Sequence, residues 1–137
     1  MILIDTGPLV AVFDPLDPNH ARCVHVLRTI REPLSTTVPV LTEAFYMLRP
    51  ESIGSDGLRE MIERGGVAVW FFQAGSLSRA FELMAQYQDH PMDFADASLV
   101  VAAEQLGVRR IFTIDRNDFA TYRVRRGHRQ FPLEILS

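Results

Sequence analysis

Four carboxylates stand where a folded domain more often places apolar or turn residues. Asp5 ends the run MILID, Glu43 interrupts VLTEAFYML, Asp96 opens DASLVVAA, and Asp115 ends IFTID. Gathered into one pocket, four acids make a site for a hard cation. All-oxygen ligation suits Mg²⁺ or Mn²⁺ and disfavours zinc, and the four histidines and single cysteine show no zinc-ligand spacing. On a helix, residues at i, i+3, i+4 and i+7 share a face. Val40, Glu43, Ala44 and Met47 therefore form one stripe, and Asp96, Leu99, Val100 and Ala103 another, so each helix is predicted to aim an acid inward. An inward carboxylate is costly unless it is paired, hydrogen-bonded or metal-bound. The chain has no lysine, so only arginines could pair with these acids, and a divalent cation is the simpler partner.

The elements that must carry these acids follow from period and punctuation. Ile2 to Ile4 is a short, wholly apolar run, as in a strand buried on both faces of a parallel sheet, and Thr6-Gly7-Pro8 then opens a turn or helix. A helix is predicted from Asp17-Pro18, with the aspartate as cap and Cys23, Val24, Leu27 and Ile30 buried. Pro33 ends it. A strand over Leu34 to Thr37 leads through Pro39 into the Glu43 helix, which Pro50 terminates. A weaker helix, Leu58 to Arg64, follows the Gly54–Gly57 segment, and Val67 to Phe72 reads as a strand. Ser76 is predicted to cap a helix with Leu77, Ala80, Phe81, Met84 and Tyr87 in the core. The Asp96 helix runs to Gly107, Arg110 to Ile114 forms another strand, and Phe131 to Leu136 adds a last edge strand. Strands alternating with helices imply βαβ units, hence a three-layer α/β/α sandwich with a mainly parallel central sheet. In such sheets the site lies outside the carboxyl ends of the strands. Asp5 and Asp115 each stand at such an end, and Glu43 and Asp96 come from flanking helices.

Length and composition set the limits. The 137 residues form one domain, 1–137, and 47% apolar content supplies a single substantial core. A lone cysteine excludes an internal disulfide, and no stretch approaches the roughly 20 apolar residues of a membrane span. The N-terminus has no positively charged leader and reads as a strand, so a cytoplasmic location fits. A net charge of −3 argues against a generally adhesive nucleic-acid binder. The positive charge is uneven, however, with seven of the fourteen arginines between Arg109 and Arg129.

Taken in order, IDTG with Asp5, TEAFY with Glu43, PMDFADASLV with Asp96 and FTIDRNDF with Asp115 resemble the PIN-domain nucleases, especially the VapC-like toxins of type II toxin–antitoxin systems. The likeness spans Ile2 to about Phe119. It implies a Mg²⁺- or Mn²⁺-dependent endoribonuclease, with Asp5, Glu43, Asp96 and Asp115 as the acidic, metal-holding set. Thr6 and Thr113 match hydroxyl positions that orient a carboxylate. Asp93 and Asp118 are further supporting acids by this likeness; by local pattern Asp93 suits a helix N-cap and Asp118 a cap of the turn around Asn117. The family also implies an RNA substrate, a cognate antitoxin and a homodimer, for which Phe45, Tyr46, Met47 and Arg49 beside Glu43 supply interface material. In the segment YRVRRGHRQF, Arg123, Arg125, Arg126 and Arg129 are expected to contact RNA phosphates next to the acidic pocket, the alternative being a solvated edge.

In this reading the acids hold metal and need not attack. A bound Mg²⁺ activates water and stabilises charge on the phosphate, and a second ion about 3.5–4 Å away would steady the leaving oxygen. Competing chemistries fit less well. Glycoside hydrolysis needs one protonated and one ionised acid about 5–9.5 Å apart, usually with aromatic platforms, whereas the only tryptophan, Trp70, lies in a strand. Phosphate-cradling glycine motifs are absent, and His20, His25, His90 and His128 have no serine or cysteine nucleophile context. A dehalogenase-type phosphotransferase would carry a second aspartate two residues after Asp5, where this chain has Gly7. The remaining alternatives are a PIN-like nuclease in RNA processing or decay, and an idle metal-binding interaction module.

Overall fold

A computed structural model describes all residues, 1–137. Five short strands form one all-parallel sheet in the order β3-β2-β1-β4-β7. These are β1 (Ile2–Ile4), β2 (Leu34–Thr37), β3 (Ala68–Trp70), β4 (Arg110–Phe112) and β7 (Glu134–Leu136). The helices that flank it are α1 (Thr6–Phe13), α2 (His20–Thr29), α3 (Val38–Leu48), α4 (Ile53–Glu63), α5 (Ala74–Gln86), α6 (Phe94–Leu106) and α7 (Arg116–Thr121). Strand β1 is central, and all three of its residues are buried, which is why it reads as an unbroken apolar run. Chain order leaves β1 in one direction through β2 and β3, and in the other through β4 and β7. The gap between β1 and β4 is thus the point where strand order reverses, the place such sheets reserve for a ligand.

The polar residues of β2 are buried and satisfied, so they fix register instead of weakening the core. Thr36 Oγ1 donates to Ile4 O at 2.8 Å, and Thr37 Oγ1 shares a 2.6 Å hydrogen bond with Ser98 Oγ of α6. Thr37 also caps α3, accepting from Val40 N. Helix α6 is buried along nearly its whole length, from Ala95 to Ala103. Its position is tied to α5 by a bidentate pair, Arg79 Nε and Nη2 to the Glu104 oxygens at 2.9 and 3.0 Å.

Several expected boundaries move. Asp17 accepts from Asn19 N at 2.8 Å and makes a turn containing Pro18, so α2 starts two residues beyond that proline, and only Cys23 is fully buried in it. Helix α4 begins at Ile53, not Leu58, and includes Gly54 and Gly57. A Cβ at either would lie under 3 Å from Phe13, so these glycines admit close packing of α4 on α1. Ser76 does not cap α5; it is buried inside the helix and accepts from Gln105. Ala80 and Leu83 carry that helix's core contacts, whereas Leu77 and Phe81 are exposed. Strand β3 is shorter than expected. The tail is also not one strand: β5 (Arg123–Arg126) and β6 (Arg129–Pro132) form a separate antiparallel hairpin, and only Glu134–Leu136 joins the sheet edge.

Candidate active site

Asp5 follows β1 directly and occupies the N-cap of α1, which buries its side chain to 7% exposure. Its Oδ1 accepts from Thr6 N at 2.7 Å, and its Oδ2 accepts from Thr113 Oγ1 at 2.8 Å. Thr113, just beyond β4, is fully buried and also accepts from Asp115 N at 3.0 Å. One hydroxyl therefore ties the first acid to the last across the switch point.

From the other side, Asp93 caps α6 by accepting from Asp96 N at 2.8 Å. This sets Asp96 in the first turn, 9% exposed, where Tyr122 donates its hydroxyl to Asp96 Oδ2 at 2.8 Å. Thr6 Oγ1 reaches Glu43 Oε1 at 3.3 Å. Asp5, Thr6, Gly7, Glu43, Met47, Asp93, Asp96, Ile114 and Asp115 line one pocket of about 230 Å³. Gly7 has a steric role here: a Cβ would stand 2.7 Å from the Ile114 side chain in the pocket wall.

Glu43 and Met47 differ from the expected stripe. The α3 core face is Val40, Ala44 and Leu48, at i, i+4 and i+8, which rotates Glu43 to the exposed rim and leaves Met47 56% exposed. Asp115 is likewise exposed at the rim. Asp118 does not cap the turn at Asn117; its Oδ1 lies 2.6 Å from His90 Nε2. Tyr122 was hidden from sequence reasoning, because nothing in TYRVRR distinguishes a buried tyrosine from part of an arginine-rich edge.

The electrostatics are those of crowded anions. None of the five pocket acids forms a salt bridge; His90 contacts Asp118, outside the pocket lining, and the arginine ion pairs all lie elsewhere. Burial pushes the Asp5 carboxyl up to about 6 against the opposing bonds from Thr113 and Thr6. Burial, then the charges of Asp5 and Asp93, push Asp96 up to about 8. Asp115 rises to about 6 through partial desolvation at the rim and the neighbouring Asp118 carboxyl, and Glu43 rises through partial burial and the Asp93 charge. Burial and the neighbouring Asp96 charge raise the Tyr122 phenol, which therefore remains a donor.

These residues fit a divalent cation by donor chemistry: five carboxylates share a pocket with hydroxyl and amide donors but no balancing positive charge. The ligand set is open, since no three of the side chains close on a single point. A cation would draw Asp5, Asp96 and Asp115 together, with Glu43 and Asp93 at the rim.

The expected arginine group falls elsewhere. Arg125 N donates to Glu104 Oε2 at 2.6 Å, and Arg126 approaches Gly107. Both lie at the C-terminal end of α6, whereas Asp96 lies at its start; eight residues at about 1.5 Å each separate Glu104 from Asp96 by roughly 12 Å. Arg123 turns its guanidinium onto the carbonyls of Ala120, Thr121 and Tyr122, and Arg129 is exposed in the hairpin. The four thus do not border the acidic pocket.

Comparison with known proteins gives the family and the fold. The PIN domain family matches residues 2–124. The chain belongs to the PIN domain family. It is 28% identical over 125 residues to ribonuclease VapC26 of Mycobacterium tuberculosis, a match covering 89% of this chain and 92% of that protein. Its fold matches the crystal structure of Mycobacterium tuberculosis VapC20, described as a sarcin-ricin loop cleaving toxin, with a TM-score of 0.78. That likeness has 18% identity and covers 86% of this chain and 92% of VapC20. The expected α/β fold with a mainly parallel sheet is thereby borne out.

Proposed function

We propose that this PIN domain is a divalent-metal-dependent endoribonuclease and the toxin of a toxin–antitoxin pair. The observation that carries the reading is the uncompensated carboxylate set at the strand-order switch, Asp5 and Asp96 buried and Asp115 at the rim, in a chain related to a VapC ribonuclease. Asp5, Asp96, Asp115 and Glu43 would hold Mg²⁺ or Mn²⁺. When bound, such an ion polarises the phosphate and makes water a better nucleophile. The chain's own residues prepare this. Thr113 and the Thr6 amide hold Asp5, Tyr122 and the Asp93-capped turn hold Asp96, and Thr6 steadies Glu43. His90 anchors Asp118, the acid whose proximity raises Asp115. The purified chain is expected to cut RNA with Mg²⁺ or Mn²⁺ and to lose that activity in excess EDTA; full cleavage in EDTA would reject the reading.

The hairpin arginines then serve RNA at a distance from the cleaved bond. Neutralising Arg126 and Arg129 is expected to weaken RNA binding without regard to sequence and to reduce the salt dependence by about 0.7 per lost contact. An unchanged slope would leave them a solvated edge.

Protein partners are supported by apolar surface beside the pocket. Tyr46 is 82% exposed, Leu16 and Ile53 are each 92% exposed, and Met47 links this patch to the acids; Phe45 instead packs against the core. Patches of this kind mark protein interfaces. A homodimer covering Tyr46 and Arg49 is expected, and light scattering at micromolar concentration tests it, a stable monomer being the contrary result. An arginine of an antitoxin would find the acidic rim complementary.

A further inference from the structure

Tyr122 is fully buried, and the ring is held from three sides: by Tyr87 and Phe119, each with centroids 5.2 Å away, and by His90 at 6.3 Å, all edge-on. The Tyr87 hydroxyl is itself occupied by Arg123 N at 3.0 Å. With the ring so confined, the phenol has one place to donate, Asp96 Oδ2. Asp5 is held more tightly still, with Thr6 N on one oxygen and Thr113 Oγ1 on the other. An oxygen that accepts a hydrogen bond retains a second lone pair, but gripping one ion with both oxygens of a carboxylate requires both to face it. Oδ2 of Asp96 faces the phenol.

We propose that Tyr122 is a positioning residue that sets ion selectivity, by leaving Asp96 a single oxygen for a cation. The proposal rests on the reading of the pocket as a divalent-metal site. Calcium takes 6–8 oxygens, often with two from one carboxylate, whereas magnesium takes about six at shorter range and keeps several waters. A pocket in which Asp5 is hydrogen-bonded on both oxygens and Asp96 presents only one therefore favours the smaller ion. Removing the phenol hydroxyl frees Oδ2 and admits the two-oxygen grip that calcium uses.

The test is calorimetric titration of the full chain, free of RNA, with Mg²⁺, Mn²⁺ and Ca²⁺ in turn. Wild-type protein is expected to bind Mg²⁺ or Mn²⁺ at least as tightly as Ca²⁺. Tyr122→Phe is expected to shift the Mg²⁺-to-Ca²⁺ affinity ratio about tenfold toward Ca²⁺, the scale on which partners of metal-ligating groups act. A residue that only supports the fold would weaken all ions together, so an unchanged ratio overturns the proposal, as does a wild-type preference for Ca²⁺. If Tyr122→Phe does not fold, Thr113→Val, which releases Oδ2 of Asp5, is expected to move the ratio in the same direction, and no movement counts against the proposal. Failure of every ion to bind wild-type protein would overturn the metal reading itself, and this proposal with it. Binding with an unchanged ratio would overturn only the role of Tyr122.

Discussion

Asp96→Asn is expected to abolish RNA cleavage and, in the absence of divalent ions, to make the protein more stable. The activity loss follows from charge. An amide keeps the shape of the carboxyl and can still accept from Tyr122, but it no longer supplies an anion to the pocket. A loss of at least about 100-fold is the scale for disturbing a metal-holding group. The stability gain follows from the same burial. Asp96 is 9% exposed and faces Asp5 and Asp93, which is why its proton is retained up to about pH 8. Keeping or removing that proton costs the native state free energy on the order of a few kcal/mol at neutral pH relative to an unfolded chain whose aspartates ionise freely. Asparagine has no such cost. Cleavage rates and thermal melts in EDTA test both halves, and a variant that is less stable yet active would contradict both.

The metal-free protein is expected to lose stability as pH rises from about 4 to about 8. Unfolded aspartates release protons near 3.8, whereas Asp5 and Asp115 hold theirs to about 6 and Asp96 to about 8. Across this window the native state binds more protons than the unfolded one, so stability falls with pH. Below the window both states are protonated and the penalty is absent. Saturating Mg²⁺ or Mn²⁺ should flatten or reverse the trend, because the ion binds the ionised, folded set and pulls the equilibrium toward it. Melting temperatures measured against pH, with EDTA and with metal, give the comparison. The double variant Asp5→Asn with Asp96→Asn supplies the background from all other groups. Identical slopes in wild type and double variant would show that these acids are not desolvated in the way the pocket implies.

What was legible in the sequence is what local chemistry decides. Burial on both faces makes β1 a run of Ile-Leu-Ile ending in Asp5, and the run is visible as such. Asp93 three residues before Asp96 is the spacing of an N-cap, and the structure has that cap. Gly107 in the left-handed region stops α6 where the helical period stops. Alternation of such elements is enough to imply a parallel sheet and to put Asp5 and Asp115 at its carboxyl edge. Tertiary packing alone decided the rest. The side of α3 that meets the core is chosen by neighbours on α1 and α6, and it left Glu43 at the rim. Release of the hairpin from the sheet, with only Glu134–Leu136 added beside β4, depends on which partner each short strand finds. The bonds that shape the site join Thr113 to Asp5 across 108 residues and Tyr122 to Asp96 across 26. No periodicity records contacts of that separation: a hydroxyl finds its carboxylate only after the chain has closed around both.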